Sequence, residues 1–259
     1  MIKLERPRQP RKHLITGFTL PQQCPLFRAA LLTRENNDSD NRFFHSYKTV
    51  YLSMPKHVFK FPDVVIDQIK MYVRNAIRGL DPIRYQQEAN YTVALLGRLE
   101  GTAYEGRHGL IQFKFTAFND RAPNSAESRL GADHAITAIV SDGVTTISKA
   151  ILVQAKLGEI ARLAPAERQR LCEQIEKMKQ LVDAPKVLQI VERGGRRYPE
   201  MISGTRILQD LPFRSIPLDD YFTWRVTTTL DGCTDPSVVG RVENSALPSL
   251  HLVAKLRRD

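Results

Sequence analysis

The run Glu127-Ser128-Arg129-Leu130-Gly131-Ala132-Asp133 is followed, twenty-one positions after its aspartate, by Gln154-Ala155-Lys156. An acid, an amide and a lysine are residue types that can manage a divalent cation beside a phosphate. A carboxylate binds a hard cation such as Mg²⁺ through oxygen, and the carbonyl of Gln154 or the backbone carbonyl of Ala155 can add another. Mg²⁺ takes only one or two carboxylates and fills its shell with water and substrate phosphate. Water bound to such a metal is a better nucleophile because its pKa falls. A lysine beside it can orient that water or offset charge building on the phosphate. The set suits hydrolysis of a phosphodiester. The plainer alternative makes Asp133 a turn residue after Gly131, with Gln154 and Lys156 facing solvent at a strand end.

The spacing supports a shared site. Asp133 to about Val140 and Ile147 to Lys156 are rich in β-branched residues and read as strands. Asp142-Gly143 between them is a hairpin signal. A loop of Asp142 to Thr145 pairs Ser141 with Thr146 and sets Asp133 opposite Gln154. A loop of Asp142-Gly143 alone sets Asp133 opposite Leu152. Side chains alternate along a strand, so 152, 154 and 156 share one face. Either even-length loop puts Asp133, Gln154 and Lys156 on one face at the open end of the hairpin.

Gly131-Ala132-Asp133, a hairpin, then Val153-Gln154-Ala155-Lys156 resembles the core of the PD-(D/E)XK nuclease superfamily. With Glu127 ahead of the Gly-Ala-Asp, it is similar to small bacterial nuclease families, many of them linked to anti-phage defence. The resemblance covers roughly Tyr85 to Glu192. It implies that Asp133 is the metal-binding acid, Lys156 the motif lysine and Glu127 an auxiliary acid. Glu88, on the helix ahead of the strands, competes with Glu127 for that last role; Glu100 and Glu105 stand behind both. Ala132 replaces the proline of the motif's name. Gln154 stands where the superfamily more often has Glu or Asp, so the site is one negative charge short. The implied fold is α/β, a central mixed sheet flanked by helices, with a restriction-endonuclease-like core and N- and C-terminal elaborations. The implied cofactor is Mg²⁺, or Mn²⁺, and the implied substrate is DNA in preference to RNA.

The whole chain bounds these expectations. It has 259 residues, 42% hydrophobic and 25% charged, which is ordinary globular composition. No apolar run is long enough to span a bilayer, and no signal-peptide core opens the chain, so a cytoplasmic protein without membrane contact is expected. Cys24, Cys172 and Cys233 are odd in number and far apart, arguing for a reducing compartment rather than a disulfide framework. The six histidines show no zinc-ligand spacing with them. The net charge of +10 favours a polyanionic partner, most simply nucleic acid.

Three segments follow from the patterning. Residues 1–60 hold a basic, proline-bearing arm (Met1 to Lys12), a short helix over Pro25 to Thr33, a polar loop Arg34 to Arg42 and a strand over Phe43 to Met54. The arm reads equally as a phosphate-tracking tail or a solvated terminus. The aromatics from Phe43 to Phe61, interleaved with lysines, suit a core more than base stacking.

Residues 61–192 form the expected nuclease core. An amphipathic helix runs from Pro62-Asp63 to about Arg78, with Gly79 as C-cap. A second runs from Asp81-Pro82 to about Leu99, with Tyr85, Ala89, Thr92, Val93 and Leu96 on its packing side. His108 to Phe118 is a strand, and Asn119 to Arg129 a polar loop in which Arg121 and Arg129 can meet phosphate. His134 points away from Asp133, and Lys149 lies near the turn, outside the site. A helix from Pro165 to about Val182, with Cys172 buried, leads to a buried strand Lys186 to Glu192.

Residues 193–259 form an extension of unknown role. Arg193 to Arg197 is a phosphate-binding loop or an exposed hairpin. Asp219 to Leu230 reads as a helix with Trp224 in a core or interface, and Leu252 to Asp259 as a basic tail. Rival readings are a non-catalytic nucleic-acid-binding subunit on the same fold, or a nuclease active only with a sensor protein or as a homo-oligomer.

Overall fold

The computed structural model describes residues 59–117, 125–228 and 230–257. The arm, helix, loop and strand expected before residue 59, and Arg121, lie outside these residues. Among the described residues no helix is long and apolar enough to cross a membrane.

The chain builds an α/β fold around an eight-stranded mixed sheet. Its elements, in chain order, are α1 (Asp63–Arg78), α2 (Glu88–Arg98), β1 (Gly101–Gly106), β2 (Gly109–Thr116), α3 (Ala126–Leu130), β3 (His134–Ser141), β4 (Thr146–Leu157), α4 (Pro165–Lys179), β5 (Lys186–Arg193), β6 (Arg196–Ser203), α5 (Gly204–Leu208), β7 (Ile216–Pro217), α6 (Leu218–Tyr221), a π-helical turn Phe222–Val226, α7 (Pro236–Glu243) and β8 (Ser249–Leu256). The strand order is β1-β2-β8-β3-β4-β5-β6-β7. β3 and β4 form an antiparallel hairpin, and β4 runs parallel to β5 through the crossover helix α4.

Both faces of the sheet are covered, which explains the nearly unbroken apolar runs in β3, β4 and β5. Ile136, Ala138 and Val140 of β3, Ile151 and Val153 of β4, and Leu188 and Ile190 of β5 join one core with α1, α2 and the α6 region. Ala135, Ala150, Leu152 and Val187 join a second core with Leu171, Ile175 and Met178 of α4 and Val239 and Val242 of α7. Period-two alternation divides each strand between the two.

Several expectations need correction. The second helix begins at Glu88, not at Pro82. The Asp81 carboxylate accepts a hydrogen bond from the Ile83 amide at 2.9 Å and makes a local turn instead. The helix then buries Tyr91, Thr92, Leu95 and Leu96, while Val93 is exposed. A strand was missed at Gly101–Gly106: it pairs with Gly109–Thr116 as an edge hairpin that two glycines and little apolar patterning disguise. Part of the expected polar loop before Asp133 is the short helix α3. Cys172 is half-buried rather than buried. Trp224 is 46% exposed and is not core. The basic Gly-rich run Arg193 to Arg197 is the end of the β5–β6 hairpin: Gly194-Gly195, both at positive φ, form its two-residue turn, and the arginines lie on the strands.

The largest correction concerns the end of the chain. The expected basic tail is instead β8, a strand near the middle of the sheet. It pairs antiparallel with β2 and parallel with β3. Leu250, Leu252 and Ala254 are wholly buried in its alternating pattern. Together with β6 and β7, it places the stretch after residue 193 in the same sheet as the hairpin.

If β8 is part of the core, Leu252→Ala should destabilise the protein by about 2–5 kcal/mol. Urea denaturation should show this as a lower midpoint at unchanged slope; a midpoint equal to that of the wild type would contradict the placement.

Candidate active site

Two glycines set the entry and exit of the hairpin. Gly131 ends α3 in the left-handed conformation, at φ 71°. A Cβ there would also lie 2.3 Å from the Gln174 carbonyl of α4, so only glycine lets α3 rest on that helix. The chain then turns through Ala132 into Asp133, whose amide donates to the Val153 carbonyl at 3.0 Å. At the other end Gly158, at φ 93°, diverts the chain out of β4, and its amide donates to the Ile190 carbonyl at 2.8 Å.

The four-residue loop Asp142–Thr145 fixes the register. Asp142 Oδ1 accepts from the amides of Val144 and Thr145, at 3.0 and 2.7 Å. Ser141 pairs with Thr146, and His134 with Val153. The same register, continued one step, sets Asp133 opposite Gln154. Of the two loops the sequence allowed, the longer is the one formed.

Asp133 and the end of β4 are joined directly. Asp133 Oδ2 accepts from Gln154 Nε2 at 2.5 Å and from the Ala155 amide at 2.7 Å. Both bonds fall on one oxygen, leaving Oδ1 for another partner. Gln154 is 1% exposed, and its Nε2 also donates to the Ala155 carbonyl at 3.2 Å. Its Oε1 is buried with no hydrogen-bond partner among the described residues. A buried, unpaired amide oxygen costs free energy of about 1–3 kcal/mol. Turning the amide over would bring that oxygen against Asp133 Oδ2. Either way one oxygen beside Asp133 lacks a positive partner.

Glu88 and Lys156 complete the cluster. The late start of α2 puts Glu88 in its first turn, where the positive end of the helix favours an acid. Lys156 Nζ donates to Glu88 Oε1 at 3.1 Å, and the Leu157 amide to Glu88 Oε2 at 2.6 Å. Both Lys156 and Glu88 are partly exposed, so the pair is open to solvent on one side. Glu127, on α3, makes no such bond. It lines a cleft of about 390 Å³ between the start of α2, α3 and α4, with Asn90, Ser128, Gln174 and Lys177 among the other lining residues. Glu100 precedes β1 and Glu105 lies on it, at the far edge of the sheet. Arg129 is exposed on α3.

Arg197, which the sequence places in a phosphate-binding loop or exposed hairpin, is buried and holds this corner instead. Its buried guanidinium donates to the carbonyls of Tyr85 and Gln86, the latter at 3.4 Å. It also lies over the Tyr91 ring, 5.2 Å from the centroid. Arg197 therefore fixes the turn that delivers Glu88. No local pattern marks it, because its partners are backbone carbonyls more than a hundred residues away.

Electrostatics set the chemistry. Burial raises the Asp133 pKa to about 7; the Ala155 amide and Lys156 pull it down, and Glu127 and Glu88 push it further up. Both glutamates are thus within electrostatic reach of Asp133. Among the described residues, however, no three His, Cys, Asp or Glu side chains converge as a ready-made metal cage. The donors on hand are the Asp133 carboxylate, the unpaired Gln154 Oε1 and one of the two glutamates. That is an all-oxygen set with one or two carboxylates, which fits Mg²⁺ or Mn²⁺. A carboxyl that keeps its proton to near neutrality is one short of positive charge, and a divalent ion would supply it.

No protein family, curated protein or solved structure was found to match this chain.

The raised Asp133 pKa predicts a pH effect with a definite sign. The folded state binds this proton more tightly than the unfolded state, so in metal-free buffer its contribution to stability is lost as pH rises from about 4 to about 7. His134 acts the other way: burial lowers its pKa to about 4, so its contribution is lost as pH falls below the unfolded value. The comparison with Asp133→Asn isolates the first group. Between pH 4 and 7 the variant should gain on the wild type by up to about 1.4 kcal/mol per pH unit. Parallel stability curves for the two proteins would remove the raised pKa.

Proposed function

We propose that the protein is a metal-dependent nuclease, hydrolysing phosphodiester bonds in DNA in preference to RNA. The observation that carries this reading is the convergence of Asp133, Gln154, Lys156 and Glu88 at the open end of one hairpin. The order of strand β2, hairpin β3–β4, helix α4 and parallel strand β5 is compatible with the restriction-endonuclease-like core that the motif resembles. The excess of basic charge suits a polyanionic substrate.

In this reading Asp133 and Gln154 Oε1, with Glu88 or Glu127, hold Mg²⁺ or Mn²⁺. The bound ion would supply Lewis-acid charge at a phosphate oxygen and lower the pKa of a water. Asp133 gives up its carboxyl proton as the site fills, so metal affinity rises with pH up to about 7. Lys156 offsets charge that builds on the phosphate, and Glu88 holds the lysine in place. Arg197 is a positioning residue that acts through Glu88.

A second reading has its own support. Gln154 stands where the superfamily more often has an acid, and no three acids converge among the described residues, which fits a nucleic-acid-binding subunit that does not cut. A place in anti-phage defence follows from the resemblance; a third reading is a nuclease subunit that cuts only with a sensor protein or as a homo-oligomer.

Plasmid cleavage separates the readings. Nicking should require Mg²⁺ or Mn²⁺, stop with EDTA, and fall by about 10²-fold or more in Asp133→Ala and in Lys156→Ala. DNA binding without cleavage under every metal and pH tried favours the non-catalytic subunit. Glu88→Gln should cost more activity than Glu127→Gln; the reverse order would make the cleft acid the metal ligand.

Arg197→Met tests the positioning role. It should lower cleavage alone, yet add little in the Glu88→Gln background, because both changes act on one side chain. Additive losses would show that Arg197 acts elsewhere.

A further inference from the structure

A second cavity shares no residue with the hairpin site. It is a half-open hollow of about 700 Å³ beside the β6–β7 edge of the sheet. That falls within the size range of small-ligand sites, about 300–1,000 Å³. Its apolar lining includes Met201, Phe213 and Ile216. Its charged groups are Lys186, Arg206, Arg214, Arg225 and Asp231.

The charges do not balance. Lys186 Nζ pairs with Asp231 Oδ1 at 3.0 Å, which accounts for the one acid. Arg206, Arg214 and Arg225 form no ion pair with the described residues. Three arginines that line one cavity, none of them ion-paired with a carboxylate of the described residues, suit an anion. Tyr221 also lines the cavity, and its buried hydroxyl has no hydrogen-bond partner among the described residues.

The walls are held firmly. The buried Lys149 ammonium donates to the carbonyls of Arg225 and Thr228, the first at 3.1 Å, and so fastens the π-helical turn to β4. The facing loop begins at Asp210, which has a positive φ of 51°. That loop is pinned by Arg206 Nε donating to the Pro212 carbonyl at 2.8 Å and by the Asp210–Arg168 ion pair at 2.6 Å. Phe213, half-buried on the same loop, offers a ring against which a planar group can stack.

We infer that this cavity binds a free nucleotide, its phosphates on Arg206, Arg214 and Arg225 and its base against Phe213. A half-open cavity of about 700 Å³ has the volume of one small molecule; a nucleic-acid strand, which carries the same phosphate and base chemistry, needs a groove that continues beyond it. The inference does not rest on the nuclease reading.

Calorimetric titration of the full chain in EDTA tests it, with ATP, AMP, adenosine and a twelve-nucleotide single strand as probes. EDTA keeps the hairpin site metal-free. ATP and AMP should bind and adenosine should not. Arg214→Met and Arg225→Met should each weaken ATP binding about tenfold or more. Asp133→Asn should bind ATP as the wild type does, so a failed nuclease site leaves this result intact. Arg214 is exposed, so its replacement tests the site without disturbing the fold. No binding of either nucleotide overturns the inference, as does ATP affinity that survives both arginine changes. It is overturned too if the oligonucleotide binds more tightly than ATP and loses that affinity in the same variants, which would make the cavity part of a strand track.

Discussion

The candidate site depends on one carboxylate oxygen. Asp133 Oδ2 accepts from Gln154 Nε2 and from the Ala155 amide, and so ties the residue just before β3 to the end of β4. Without that tie the two strands would still pair, but nothing would orient the acid toward the lysine's end of the hairpin. The tie also has a cost. It holds an acid where burial disfavours its charge, and it leaves the Gln154 oxygen with nothing to accept from. In the proposed reading a divalent ion would answer both groups at once.

The hairpin itself was legible in the sequence because its determinants are local. Asp142-Gly143 marks the turn, β-branched residues mark the strands, and period-two alternation puts positions 154 and 156 on one face. Only the loop length was left open, and the Asp142 side chain settles it by capping two amides. Glu88 could be named as a candidate but not placed. Its position follows from where α2 starts, and that start is set by Arg197 gripping two carbonyls from a distant strand. Propensity alone favoured Asp81-Pro82 as a helix start; tertiary contact overrode it.

The C-terminal stretch was misread for a similar reason. Ser249–Leu256 is short, carries His251 and Lys255, and lies beside a basic end, so its composition suggests a tail. Its alternating burial appears only once β2 and β3 flank it. Lys149 reads from the sequence as a residue near a turn, yet it is 1% exposed and bonded to the end of the π-helical turn. Burial lowers its pKa to about 7, with Asp231 opposing the fall. A lysine in a strand reads as solvent-facing unless the element that covers it is known, and that element is a hundred residues of sequence or less away but invisible to any periodicity.

The central place of β8 bears on how the molecule is made. Thr137 on β3 and His251 on β8 share a hydrogen bond across 114 residues of sequence. Contacts this remote form late, because closing so long a loop must precede any reward. While residues 249–256 are still inside the ribosome, β3 has a bare edge and the hairpin that carries Asp133 and Lys156 lacks its neighbour. Until β8 emerges, nascent chains are therefore exposed to wrong strand pairing along the open edge of β3.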